Sequence, residues 1–224
     1  MTRLAVLALL IAALAVAAPA GAYTVLDFVV FDGIEYIRST EEPGRELTRD
    51  DLGPEFAVVG CGIAENPVCP YGDDASAGLL PARTRVYTVR GYKPEFRLAA
   101  VSGDQIMLYQ AWRSPRAKVG GDLYDIAGKV RSIDVRRDGG ARAAPAATMI
   151  KRAPDVDAVA QMIVAAPVRP PRPRESRVLR YWLTFWLDDG TSLGRAYFPD
   201  SGELTGGVAL PPEFRAIVDR SFGE

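Results

Sequence analysis

Arg177 to Phe198 reads RVLRYWLTFWLDDGTSLGRAYF, and its first half puts large side chains on both faces of one extended run. A strand that is bulky on both faces has to be covered on both, so it belongs in the middle of a sheet. Trp182 and Trp186 fall on the same face of this strand. Asp189-Gly190 then turns the chain back into TSLGRAYF as a neighbouring strand. DSGEL (Asp200–Leu204) turns it again, and GVAL adds a short strand.

Upstream, KVRSIDVRR, with Val130, Ile133 and Val135 apolar, reads as a strand, and ATMIKR pairs back on it. PDVDAVAQMIVAA is the best helix, with Asp155 as its cap and Val156, Val159 and Ile163 along one face. PPEFRAIVDRSF closes the chain as a second helix, with Phe214, Ile217, Val218 and Phe222 on one side. The order β-β-α-β-β-(β)-α predicts an α+β fold for residues 127–224, an antiparallel sheet with two helices on one face.

Residues 23–126 read as a small antiparallel β-domain. LDFVVFDGIEYI carries two β-rich runs around Asp32-Gly33, a hairpin signal. STEEPGRELTRDDLGPE is a polar connection with a helical turn at ELTRDDL, and FAVVGCGI is another apolar run. ARTRVYTVRGYKPEFRLAAVSGDQIMLYQAW is cut by turn signals at GYKP and SGDQ into a three-stranded meander, with Phe96 and Leu98 pointing inward. The Gly-rich SPRAKVGGDLYDIAGKV places the boundary near Ile126.

The chain opens MTRLAVLALLIAALAVAAPAGAYTV: a basic Arg3, an apolar stretch from Leu4 to Ala17, and Ala20 and Ala22 in the small positions that a signal peptidase reads. Residues 1–22 are therefore expected to be a signal peptide removed near Ala22, leaving a secreted, extracytoplasmic protein. The apolar stretch is shorter than the ~20 residues of a membrane span, and no later run is apolar enough to form one. The two cysteines, Cys61 and Cys69, enclose seven residues. Export favours oxidation of such a pair. Two Cys and no His are too few for a zinc site, and the spacing is not that of a redox pair. A disulfide is expected, worth about 2.5 kcal/mol for so short a loop. Asp73 and Asp74 lie nearby without the alternating acidic spacing of a calcium loop.

The formal net charge is -1. Residues 23–126 carry 11 basic and 16 acidic side chains and residues 127–224 carry 15 and 12, so neither half has the concentrated positive charge of a nucleic-acid binder. The chain has no histidine, which excludes Ser-His-Asp, Cys-His and histidine-zinc catalysis. A pair of carboxylates remains a permitted catalytic device. Asp200-Ser201-Gly202 is the aspartic-protease tripeptide, but Pro199 precedes it and no second copy exists, so it reads as a turn. No cofactor motif and no metal-ligand set is present.

Two groups of residues suggest binding. Trp182 and Trp186 are candidates to line an aromatic groove, with core packing as the simpler reading. PVRPPRPRES interrupts regular structure in polyproline style. Arg169, Arg172, Arg174 and Arg177 lie close together there and are candidates to contact an anionic polymer such as teichoic acid or phospholipid. A solvated loop is the simpler reading.

The pattern GIEY … DLG … LPARTRVYTVRGYKPEFRLAA, from Gly33 to about Ala100, resembles uncharacterised exported proteins and lipoproteins of Gram-positive bacteria. Their typical form runs G-I-x-Y, then L-P-x-G-T-x-V-Y-x-V-x-G-Y-x-P-x-F-R-L-A. Arg83 stands where that pattern has Gly, and the lipobox cysteine of the lipoproteins is absent. The resemblance implies an envelope protein and supplies no catalytic residues. The expectation is a secreted, non-enzymatic binding or interaction module. The alternatives are a carboxylate-dependent hydrolase of cell-wall glycans and a structural or inhibitory module that docks on another exported protein.

Overall fold

A computed structural model of the chain describes residues 26–38, 44–138, 146–170 and 179–223. The expected signal peptide, together with Arg172, Arg174 and Arg177, lies outside the described residues.

The Asp-Gly signal forms a hairpin. β1 (Phe28–Phe31) and β2 (Ile34–Arg38) pair antiparallel with Phe31 opposite Ile34. Asp32 and Gly33 both take positive φ, 52° and 72°. A two-residue turn needs that pair of left-handed residues to match the twist of its strands. After the hairpin come β3 (Leu52–Val58), β4 (Cys61–Gly62), β5 (Ser76–Ala77), β6 (Arg85–Val89), β7 (Arg97–Ser102) and β8 (Gln105–Arg113). The meander β6-β7-β8 forms as expected, and the eight strands make one sheet in the order β3-β6-β7-β8-β2-β1-β5-β4. β4 and β5 pair parallel, so this sheet is not purely antiparallel. Arg83, at the position where the resembled pattern has Gly, has φ 71°, a region in which non-glycine residues are uncommon.

The second sheet contains β9 (Val130–Asp138), β10 (Ala146–Ile150), β11 (Arg180–Leu187), β12 (Ser192–Phe198), β13 (Glu203–Leu204) and β14 (Val208–Ala209). Its order is β10-β9-β11-β12-β13-β14. The strand quoted first, β11, is internal, bonded to β9 on one side and β12 on the other. Tyr181, Leu183, Phe185 and Leu187 are buried, whereas Trp182 and Trp186 on the alternate face are half-buried. Asp200-Ser201-Gly202 is the turn between β12 and β13, with the Gly202 amide donating to the Phe198 carbonyl at 2.9 Å.

The α+β expectation is overturned. Among the described residues fourteen strands in two sheets stand against two short helices, α1 (Ala153–Ala165) and α2 (Pro212–Arg220), so the fold is β-rich. The local elements of residues 127–224 form near their expected places, but the helices do not set the architecture. Strands hidden in sequence account for the difference. β4, β5 and β13 have two residues each, too short to show a period, whereas β14 forms in GVAL where a short strand was expected. β3 begins in LGPE, which reads as a connection because it carries Gly53 and Pro54. Proline is tolerated there because β3 is an edge strand. Asp155 also differs from expectation: Arg152 is the N-cap of α1, and Asp155 sits in the first turn, paired with Arg152 at 2.7 Å.

One cluster of buried apolar side chains runs from Val29 on β1 through Leu98, Tyr109, Ile133 and Phe185 to Val218 on α2, joining both sheets. Leu47, Val89 and Ala99 form a smaller cluster. Ala99 lies on the opposite face of β7 from Leu98 and Ala100, so the first sheet buries apolar groups on both faces.

Candidate ligand-binding concavity

The second face of the first sheet meets the β11–β12 turn through polar groups. Pairing of β7 with β8 sets Arg97 opposite Gln110, and both are buried, at 0% and 1% exposure. One terminal nitrogen of Arg97 donates to Thr191 Oγ1 at 2.6 Å and the other to the Ser192 carbonyl at 3.0 Å. Gln110 Nε2 donates to the same carbonyl at 2.6 Å. Asp189 Oδ2 lies 3.7 Å from Arg97, and the guanidinium lies against the rings of Tyr92 and Phe96, 4.6 and 4.8 Å from their centroids. Burial pushes Arg97 down to about 10, so it remains cationic at neutral pH. Burial, with the negative charge of Asp189 added, pushes the Tyr92 hydroxyl up.

A second buried arginine bridges the sheets from the other side. Arg195 on β12 donates to the Ala111 carbonyl on β8 at 2.6 Å, to the Gly194 carbonyl at 2.7 Å and to the Tyr124 hydroxyl at 3.2 Å. The sheets are thus bound by directional contacts, most of them from guanidinium donors, which bond more strongly than neutral groups do.

Residues 44–51 close this junction. The Arg45 amide donates to the Gly190 carbonyl at 2.9 Å, and Arg45 Nε donates to the Asp189 carbonyl at 2.8 Å. Its two terminal nitrogens grip the Asp51 carboxylate, each at 2.8 Å. Asp51 also accepts from the Thr48 amide at 2.7 Å and the Thr48 hydroxyl at 3.0 Å. The Arg45 guanidinium holds the Asp51 carboxyl well below the usual carboxylate range.

Between this segment, the outer half of β8 and the β12 start lies a concavity of about 560 Å³. Ile106, Leu108 and Gln110 of β8 line it, with Thr191 and Ser192. Arg38, Arg45 and Arg49 contribute the cationic lining, and Glu46 and Asp104 the anionic lining. Arg38 is paired with Asp27 at 3.3 Å and Arg45 with Asp51. Arg49 is exposed and has no ion-pair partner among the described residues. Among the described residues, Gln110 Oε1 and Arg97 Nε are buried without a hydrogen-bond partner.

A second concavity, about 630 Å³, brings together Asp32, Glu95 and Asp122 with Lys93, Arg116 and Lys118, above Tyr36 and Phe56. It gathers three carboxylates, the residue type that a two-carboxylate mechanism needs. Two of its three basic side chains are engaged locally: Arg116 donates to the Asp32 carbonyl and Lys93 to the Gly121 carbonyl. The Asp122 carboxylate accepts the Lys118 amide at 2.7 Å and the Val119 amide at 3.0 Å, which hold its carboxyl below the usual range. A general acid needs the opposite shift. Burial, then the charges of Glu95 and Asp32, push the Tyr36 hydroxyl up, and that hydroxyl donates to the Pro94 carbonyl at 3.1 Å.

Of the residues singled out in the sequence, Cys61 and Cys69 are joined by a disulfide, with Cα atoms 5.9 Å apart. Asp74 accepts the Asp32 amide at 2.6 Å. Among the described residues no cluster of three or more His, Cys, Asp or Glu side chains could hold a metal, and no helix is long and apolar enough to cross a membrane. Arg169 is exposed, its amide bonded to the Gly207 carbonyl at 2.8 Å. It borders a third concavity of about 440 Å³ beside Glu35 and Arg113, which pair at 2.7 Å. Trp182 and Trp186 do share a face of β11, but neither lines these concavities. Trp186 Nε1 donates to Asp134 Oδ2 at 2.8 Å.

The sequence reading placed Phe96 and Leu98 inside but passed over Arg97, Gln110 and Arg49. A charged residue embedded in the apolar run EFRLAA was the one available signal for Arg97. Comparison with protein-family models, with curated proteins and with solved structures finds no match for the chain.

Proposed function

We propose that the protein is an extracytoplasmic, non-enzymatic binding module of the bacterial envelope that takes an anionic wall polymer in the concavity at the sheet junction. The observation that carries this reading is Arg49: an exposed cation with no ion-pair partner among the described residues, set on a concavity whose other two arginines are already paired with Asp27 and Asp51. The surrounding walls are held by buried charged hydrogen bonds, so little ordering is needed when a ligand enters. The disulfide fits an oxidising compartment. Arg169, exposed on another part of the surface, offers a second electrostatic contact to an extended polymer.

The test is retention of the purified protein on immobilised teichoic acid. Retention at low ionic strength is expected. It should weaken as added salt shortens the Debye length from ~10 Å at 0.1 M. Elution of the protein with the void volume at low salt would refute the polymer reading. The hydrolase alternative is addressed by Asp32→Asn and Glu95→Gln, which should have no effect on wall-glycan turnover.

A further inference from the structure

We infer that β10 is the docking edge for a second copy of this chain, independently of what the concavity binds. The two β10 strands pair antiparallel about a two-fold axis at Thr148 and join the second sheets of both copies into one.

Four strands end the two sheets: β3, β4, β10 and β14. An end strand leaves a row of backbone N–H and C=O groups open, and folded chains guard such rows with proline, charge, irregular pairing or shortness. Three of the four are guarded. β3 carries Pro54 and Glu55, and its register with β6 shifts twice. β4 has two residues and begins at a disulfide cysteine. β14 has two residues, and its Val208 is bridged to Val168. β10 has none of these devices. Its five residues, AATMI, include no charge and no proline, and they pair with β9 in unbroken register. Among the described residues, no hydrogen bond joins the β10 backbone to anything but β9. Met149 on this edge is 41% exposed.

The residues beside the edge fit a second copy. Ala147 stands opposite Arg136 and Met149 opposite Asp134, all on one face of the sheet. Arg136 is exposed, and neither it nor Asp134 has an ion-pair partner among the described residues. A two-fold at Thr148 puts Ala147 of each copy opposite Met149 of the other, so small meets large twice. Each row across the junction then reads Asp134 and Met149 of one copy, Ala147 and Arg136 of the other, an acid facing a base. Three strand spacings of ~4.8 Å separate those two backbones, so the charges steer the pairing more than they hold it. Shifting the register by two residues either way sets Asp134 against Asp134 or Arg136 against Arg136. The two-fold also covers both open edges at once and leaves none to propagate. A formal net charge of -1 sets little general repulsion against it.

Sedimentation velocity of the purified, disulfide-intact protein is the first measurement. A monomer–dimer equilibrium is expected, with a dissociation constant between about 1 μM and about 1 mM, as suits a small interface. Met149→Lys adds the charge that guards other edges and should weaken the dimer at least ten-fold. Cysteine pairing then reads the register. Directly opposite Cα atoms lie ~4.5–5.5 Å apart, within disulfide reach, whereas diagonal ones lie ~7–8 Å apart, beyond it. Mild oxidation of mixed Ala147→Cys and Met149→Cys chains should link one chain of each kind, and either variant alone should link far less. If Met149→Lys does not fold, the wild-type sedimentation and the two exposed cysteine positions decide. A wild type that stays monomeric at about 1 mM, a dimer that Met149→Lys leaves unchanged, or linkage within one cysteine variant as complete as in the mixture overturns the inference. A monomer whose residues 146–150 nevertheless exchange their amides slowly would place another segment of the same chain on the edge, and overturns it too.

Discussion

On one face of β7, Leu98 and Ala100 join the apolar cluster that extends to α2; on the other, Arg97 lies beside Ala99 and reaches across to the second sheet. Both faces are buried, by different physics. The apolar face is held by area removed from water, which has no preferred direction. The polar face is held by guanidinium and amide hydrogen bonds that tolerate only narrow angles and distances. The apolar face accounts for most of the stability, and the polar face sets how the β11–β12 turn stands over β8. That geometry, rather than raw stability, is what a ligand-binding concavity needs.

The largest effect should come from the apolar side. Phe185→Ala removes a fully buried ring from the central strand of the second sheet and should cost about 4 kcal/mol in urea unfolding. A loss below about 1 kcal/mol, far under the range for such truncations, would mean that the shared cluster is not the main source of stability. The disulfide comes next. Replacing Cys61 and Cys69 together by Ser should cost about 2.5 kcal/mol, with increased amide exchange confined to residues 60–77. Exchange that rises equally at Thr191 would show that the β4–β5 edge is coupled to the junction.

Arg97→Met tests the polar face. It removes the bonds to Thr191 and Ser192 and should cost about 2 kcal/mol, because the buried Thr191 hydroxyl oxygen loses its donor and the Ser192 carbonyl keeps only Gln110. Its distinguishing readout is faster amide exchange at Gly190 and Thr191 while Leu98 stays protected. A neutral or stabilised variant would mean that the guanidinium only occupies space there.

Asp51 gives the smallest and most pH-dependent effect. Its folded pKa is depressed by Arg45, so its stabilising contribution is complete above the ordinary aspartate pKa of about 3.9 and is lost as pH falls toward the depressed value. Asp51→Asn should therefore destabilise the protein by about 0.5–1 kcal/mol at pH 7, as expected for a largely solvated pair of good geometry. Wild type and variant should converge only as the pH approaches that depressed folded value. A gap that stays constant across the acid range would assign the effect to packing rather than to the Arg45 pair.

Much of the local structure was legible in the sequence, because its causes are local. Asp32-Gly33 specifies its turn through two left-handed residues, and the alternation in Val86–Val89 and in β11 specifies strands through a period of two. Cys61 and Cys69 are eight positions apart in the chain, close enough for composition and spacing to suggest the bond. The fold class was not legible, since two-residue strands carry no period and exist only where a neighbour supplies the hydrogen bonds. Nor was the concavity. Arg97 meets Thr191 across 94 positions of sequence, and nothing in EFRLAA distinguishes an arginine that turns to solvent from one that bridges two sheets. The sequence determined which segments extend, where they turn and which thiols are near. Only the tertiary structure decided which polar groups are buried, which are paired and which are left open, because those outcomes depend on partners brought together by the packing of the two sheets.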